Sequence, residues 1–172
     1  MNPFRPLQVA IITGAPGSGK STAVQALGKL EHPYLIFDMD NLLEPASTLT
    51  RTDIRTDTQR WPAYRKLWLE FLKQVAQNRR LPVLFGPLDK SDLSGLCDGL
   101  ELHYLLLDCS DNIRQRRLQQ REWTEAQITE ALEDAKLLRS EIDLQFDTGS
   151  SSPEQIADNL DKWLKTLNPT FR

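Results

Sequence analysis

The chain has little of what several protein classes require. It holds two cysteines and two histidines in 172 residues, too few for a disulfide scaffold or a Cys/His metal framework. Cys97 and Cys109 show no metal-ligand spacing, and Cys109, directly after an apolar stretch, reads as a small core residue. His32 and His103 have no partner at a useful spacing. No apolar run approaches the ~20 residues of a membrane-spanning helix. The N-terminus lacks the basic and apolar regions of a signal peptide, so the cytoplasm is the expected location. Net charge is −3 with no basic tail, so nucleic acid is not an expected partner. Repeats, low-complexity stretches and linkers are also missing, and residues 1–172 are expected to form a single domain.

What is present is an alternation of strand and helix signals, the mark of an α/β fold with a parallel sheet. The apolar runs Gln8–Thr13, Tyr34–Phe37, Pro82–Phe85, Leu102–Leu107 and, more weakly, Ile142–Phe146 predict five strands covered on both faces. Trp61, Tyr64, Trp68, Phe71, Leu72 and Val75 fall at helical spacing and predict a helix from Trp61 to Asn78. Thr124 and Gln127 make a capping box ahead of an apolar stripe. Ser152, Pro153 and Gln155 open the closing helix in a similar way. Trp61, Trp68 and Trp163 read as packing residues. Trp123 is open between packing and ligand contact.

The most informative stretch is Gly14-Ala15-Pro16-Gly17-Ser18-Gly19-Lys20-Ser21-Thr22. It has the spacing G-x-x-x-x-G-K-[ST], and it sits where the motif must sit, between an apolar β-branched run and a helix. The glycines allow the backbone to curl so that N–H groups point inward on an anion, and the following helix adds the positive end of its dipole. Lys20 is expected to reach the β- and γ-phosphates of ATP, and Ser21 to offer its hydroxyl to Mg²⁺.

Ligands of an open parallel sheet gather beyond the C-terminal ends of its strands. Asp38 and Asp40 follow the second strand there. Phosphoryl transfer needs one carboxylate near the metal and one that orients or deprotonates the attacking hydroxyl, and these roles are assigned to Asp38 and Asp40. The rival for the metal is Asp108, which ends an apolar strand, and capping of a following helix is open for all three. Arg114, Arg117 and Arg121 lie on one helical face, where guanidinium forks suit the charge of a transferring phosphoryl group. Their segment, near 112–127, is where a lid would sit. Arg51, Arg55 and Arg60 lie in a polar stretch open between a solvated loop and a recognition site for a phosphate or carboxylate on the acceptor.

With these residues in place the chain resembles the P-loop kinases of small molecules: nucleoside monophosphate, shikimate and gluconate kinases and chloramphenicol phosphotransferase. The resemblance runs in order from Gly14–Thr22 through Asp38-Met39-Asp40 and Leu107-Asp108-Cys109 to Arg117, Arg121 and Asp147-Thr148. It implies a three-layer P-loop NTPase fold, a sheet of order 2-3-1-4-5, ATP contacts from Arg117 and Arg121, and an adenine-side loop containing Asp147 and Thr148. It stops at the acceptor half, because Gly86-Pro87-Leu88-Asp89 and the segment from Arg51 to Trp68 match none of these families. The expected function is ATP- and Mg²⁺-dependent phosphoryl transfer to a small molecule, with nucleosides and nucleotides among the acceptors and Asp40, Arg51 and Arg55 as acceptor contacts. The alternatives are an ATPase switch with a macromolecular partner and a nucleic-acid end kinase.

Overall fold

The computed structural model describes residues 6–167. In chain order these form β1 (Leu7–Thr13), α1 (Lys20–Leu27), β2 (Leu35–Asp38), a 3₁₀ turn (Met39–Leu42), α2 (Leu43–Thr50), α3 (Trp61–Gln77), β3 (Pro82–Phe85), β4 (Leu100–Asp108), α4 (Asp111–Gln119), α5 (Glu125–Glu141), β5 (Gln145–Asp147) and α6 (Pro153–Leu167). The five strands are parallel, in the order β2-β3-β1-β4-β5. The expected order and fold class are therefore those observed. No helix among the described residues is long and apolar enough to cross a membrane.

Strand alternation builds the three layers. Successive side chains of a strand point to opposite faces, so Ala10 and Ile12 of β1 pack with α1 and α6, while Val9 and Ile11 pack with α3. The pattern repeats in β3, where Val83 and Phe85 take the first face and Leu84 the second. Leu27 and Leu160 in one layer and Leu72 in the other are fully buried, and each such leucine contributes about 1.5–3 kcal/mol. Both helix-start signals are realised: Thr124 and Gln127 form a reciprocal capping box, and Ser152 and Gln155 exchange backbone–side-chain hydrogen bonds.

Among the differences from expectation, three have a local reason. β4 begins at Leu100, where Gly99 hands its carbonyl to Leu7 and starts the β1–β4 ladder early. The weak fifth strand contracts to Gln145–Asp147 because Ile142 ends α5 and is buried beside Leu138. Asp108 does not cap α4, whose N-cap is Ser110.

Candidate functional site

The turn from β1 to α1 is fixed from outside by its carbonyl groups. The carbonyl oxygen of Pro16 accepts from Arg114 Nη1 at 2.5 Å, that of Gly17 from Arg117 Nη1 at 3.0 Å, and that of Ser18 from Thr148 Oγ1 at 2.7 Å. The carbonyls of Gly14 and Ala15 accept from Lys20 Nζ. Among the described residues the N–H groups of Gly17 and Gly19 have no acceptor, and the first N–H groups of α1 have none within the helix. The loop therefore offers a set of uncommitted donors at the positive end of a helix. Two glycines are required by this shape. A Cβ on Gly14 would overlap the Leu107 carbonyl oxygen and Ser18 Oγ, and Gly19 caps α1 at φ +90, a conformation that costs any other residue strain.

The loop residues fit a polyphosphate on these grounds. Ser18 Oγ is buried without a partner, and an unpaired buried hydroxyl is costly unless a ligand satisfies it. Burial pulls the Lys20 ammonium down to about 8, with the carboxylates of Asp40 and Asp38 opposing the shift and Arg114 adding to it. An anion held in the loop would push that value back up.

Asp38 and Asp40 stand at the end of β2 facing Lys20, close enough for both to act on its charge. Asp38 Oδ1 accepts from the Asp40 N–H at 3.0 Å and so caps the 3₁₀ turn. Its carboxyl lies above the ordinary carboxylate range, chiefly through partial burial, with the Asp40 N–H opposing and the Asp40 charge adding. Asp40 is exposed, as are Ser21 and Thr22. Ser21 and Asp38 supply hard oxygen donors of the kind Mg²⁺ takes when it keeps waters and phosphate oxygens. Among the described residues no group of three or more His, Cys, Asp or Glu could hold a metal by itself.

The arginine face divides in two. Arg114 is fully buried, donates to Pro16, and pairs with Asp108 Oδ1. It is an anchor beneath the loop, which corrects its expected place in a lid. Arg117 and Arg121 line a cleft of about 300 Å³ together with Gly17, Gly19, Thr22 and Thr148. Arg117 also bonds both Oγ1 and the carbonyl of Thr148, at 3.1 and 2.8 Å. Asp147 does not reach this cleft, because its carboxylate closes its own turn on Gly149 N–H and Ser150 Oγ.

Asp108 is held by guanidinium groups on both oxygens, since Arg139 Nε meets Oδ2 at 2.5 Å. That ion-paired anchor is what its side chain does here, in place of the metal role considered for it. Arg139 was invisible to spacing arguments, being 31 residues from its partner in another element.

A second cleft, of about 580 Å³, opens on the other side of the loop and is lined by Gly14, Ala15 and Pro16 together with Arg55, Trp61 and Arg65. Asp89, Asp92, Glu130 and Asp134 complete its polar wall. Arg51 is not part of it: the residue caps α2 in an αL conformation (φ 54) and is exposed. Trp61 packs edge-on against Tyr64, as expected, and also faces the cleft. Trp123 packs with Leu118, Ile128 and Ala131.

The comparisons agree with this geometry. The sequence matches the family model described as AAA domain over residues 11–138. The chain belongs to the AAA domain family. Its fold is that of the P-loop small-molecule kinases. A sugar kinase from Janibacter sp. HTCC2649 superposes with a TM-score of 0.66 at 22% identity, covering 93% of this chain and 95% of that one. A gluconokinase from Sinorhizobium meliloti 1021 gives 0.60 at 21% identity, covering 97% of each. Shikimate kinase from Aquifex aeolicus gives 0.58 at 18% identity, covering 92% and 97%. No curated protein matches the chain in sequence.

Two predictions follow from the anchoring and from Lys20. Asp108→Ala leaves Arg114 buried without its counter-charge and should cost about 3–5 kcal/mol of stability by urea unfolding; a loss under about 1 kcal/mol would place the pair among weak surface contacts. A lysine with a lowered pKa is largely neutral above about 8 and charged below it. Nucleotide binding at about pH 9 should therefore take up a proton, fading toward zero at about pH 6.5, where the lysine is already charged. Calorimetry in buffers of different ionisation enthalpy reads this uptake, and equal uptake by Lys20→Ala would contradict the assignment.

Proposed function

We propose that the protein is an ATP- and Mg²⁺-dependent phosphotransferase acting on a hydroxyl of a small-molecule acceptor. The observation that carries this reading is that one anion-binding loop forms a wall of two separate clefts. Gly17 and Gly19 border the smaller cleft, and Gly14, Ala15 and Pro16 border the larger. A donor nucleotide on one side and an acceptor on the other would meet at the loop itself. The likeness in fold to a sugar kinase, a gluconokinase and a shikimate kinase supports the same reading.

Bound ATP with Mg²⁺ would supply the γ-phosphoryl group and a counter-charge to its oxygens. The loop N–H groups and Lys20 would hold the phosphates, and Ser21 and Asp38 would hold the metal. Thr148 and Arg117 border the nucleotide. Asp40 accepts the proton of the acceptor hydroxyl as the new O–P bond forms and the bond to the ADP oxygen breaks. Arg117 and Arg121 offset charge on the phosphoryl oxygens from the wall of the smaller cleft. Arg55 is the acceptor contact among the arginines expected from sequence.

Lys20→Ala should lower kcat/KM for ATP by about 10²–10³-fold with the fold retained. Asp40→Asn should lower acceptor-dependent kcat by about 10²–10⁴-fold while ATP affinity is kept. Unchanged turnover in Asp40→Asn would return that residue to the surface of the 3₁₀ turn.

A further inference from the structure

The larger cleft carries a charge pattern that identifies its ligand more closely. Four carboxylates line it, from Asp89, Asp92, Glu130 and Asp134, against the two guanidinium groups of Arg55 and Arg65. Arg65 is already spent, because its Nη1 lies 2.7 Å from Asp92 Oδ1 and its guanidinium sits 5.6 Å from the centroid of the Trp61 ring. Among the described residues no ion pair engages Asp89, Glu130 or Asp134. Arg55 remains as a single unpaired cation facing three unpaired carboxylates. An anionic acceptor would enter against that excess, and like-charge juxtaposition in a cleft works strongly against binding.

Two wall elements create the excess. Asp89 follows β3 and holds its loop in place, accepting from Ser91 Oγ at 2.7 Å and from the Asp92 N–H at 2.6 Å. Glu130 and Asp134 are one helical turn apart on α5 and face the cleft together. Desolvation, and then the repulsion of Glu130 and Glu133, push the Asp134 carboxyl above its ordinary range, with the charge of Arg114 opposing. A bare metal ion does not answer this need, since among the described residues no cluster has ligand geometry for one. Glu130 and Asp134 are open to solvent, so a cationic group on a ligand large enough to span the walls can reach them.

We infer that the acceptor is a hydroxylated organic amine, of the amino-sugar or aminocyclitol kind, whose ammonium group is held between Asp89 and the Glu130–Asp134 wall. This rests on the phosphotransferase reading for the use of the cleft, and its hydroxyl is the group offered to Asp40. The same cleft turns away sugar acids, shikimate and nucleoside monophosphates by charge.

The test compares matched probes bound in the presence of Mg²⁺ and a non-hydrolysable ATP analogue, followed by calorimetry. 2-Deoxystreptamine carries two amines on a cyclitol ring, myo-inositol is its neutral counterpart, and gluconate and shikimate are anionic. The diamine should bind at least about tenfold more tightly than myo-inositol, and the two acids more weakly than either. In Asp134→Asn combined with Glu130→Gln the preference should fall to about twofold, with a melting curve confirming the fold. Asp134→Glu, which keeps the charge, should retain the preference. Equal affinity across the charge classes, no binding of the diamine, or a preference untouched by the double substitution would overturn the inference. ADP formation with the same probes judges the phosphotransferase reading separately. A diamine that binds and yields no ADP would remove that reading and leave the cationic cleft standing.

Discussion

The carbonyl groups of residues 14–18 are all engaged by hydrogen-bond donors, and every other feature of the site depends on that engagement. A backbone can turn its N–H groups inward only if its carbonyls find donors elsewhere. Here the donors are Arg114, Arg117, Thr148 and Lys20, drawn from α4, the loop after β5 and α1. Arg114 matters most because it is fully buried and its charge is met by Asp108, which Arg139 of α5 also holds. The arrangement costs desolvation of several charges. In return it fixes the cradle before any ligand arrives, so little has to be ordered on binding.

The same anchoring explains why the loop can serve two clefts. Its first residues face the cleft of Trp61 and Arg55, and its last residues face the cleft of Arg117 and Thr148. Lys20 of the same loop feels the carboxylates of Asp40 and Asp38, and burial lowers its pKa to about 8. Above about pH 8 such a lysine would take up a proton as a polyphosphate binds. The two clefts differ in electrostatic character as well: arginines border the smaller, and unpaired carboxylates dominate the larger.

Much of this was legible in the sequence, for identifiable reasons. The loop motif is contiguous, so its residues are placed by spacing alone, and the strands were visible because burial on both faces makes them short apolar runs. The capping box at Thr124 is local and was equally plain. What could not be read were relations between distant elements. Helical periodicity put Arg114 on one face with Arg117 and Arg121, and it is silent on which neighbour that face meets. The structure turns Arg114 beneath the loop because Asp108 and the Pro16 carbonyl are there to receive it. Arg51 and Arg55 looked equivalent in a polar stretch, and only the end of α2 separates them, leaving Arg55 in the cleft and Arg51 at a helix cap. The acidic wall was missed because Asp89, Glu130 and Asp134 come from elements that meet only in three dimensions.

The central claim is that the loop passes a phosphoryl group from one cleft to the other, and the destination of the label from γ-³²P ATP tests it most directly. Incubated with an aminocyclitol acceptor, the protein should place the label on the acceptor, with little free phosphate. Label recovered only as inorganic phosphate, at a rate indifferent to the acceptor, would contradict transfer and describe an ATPase whose second cleft serves another purpose.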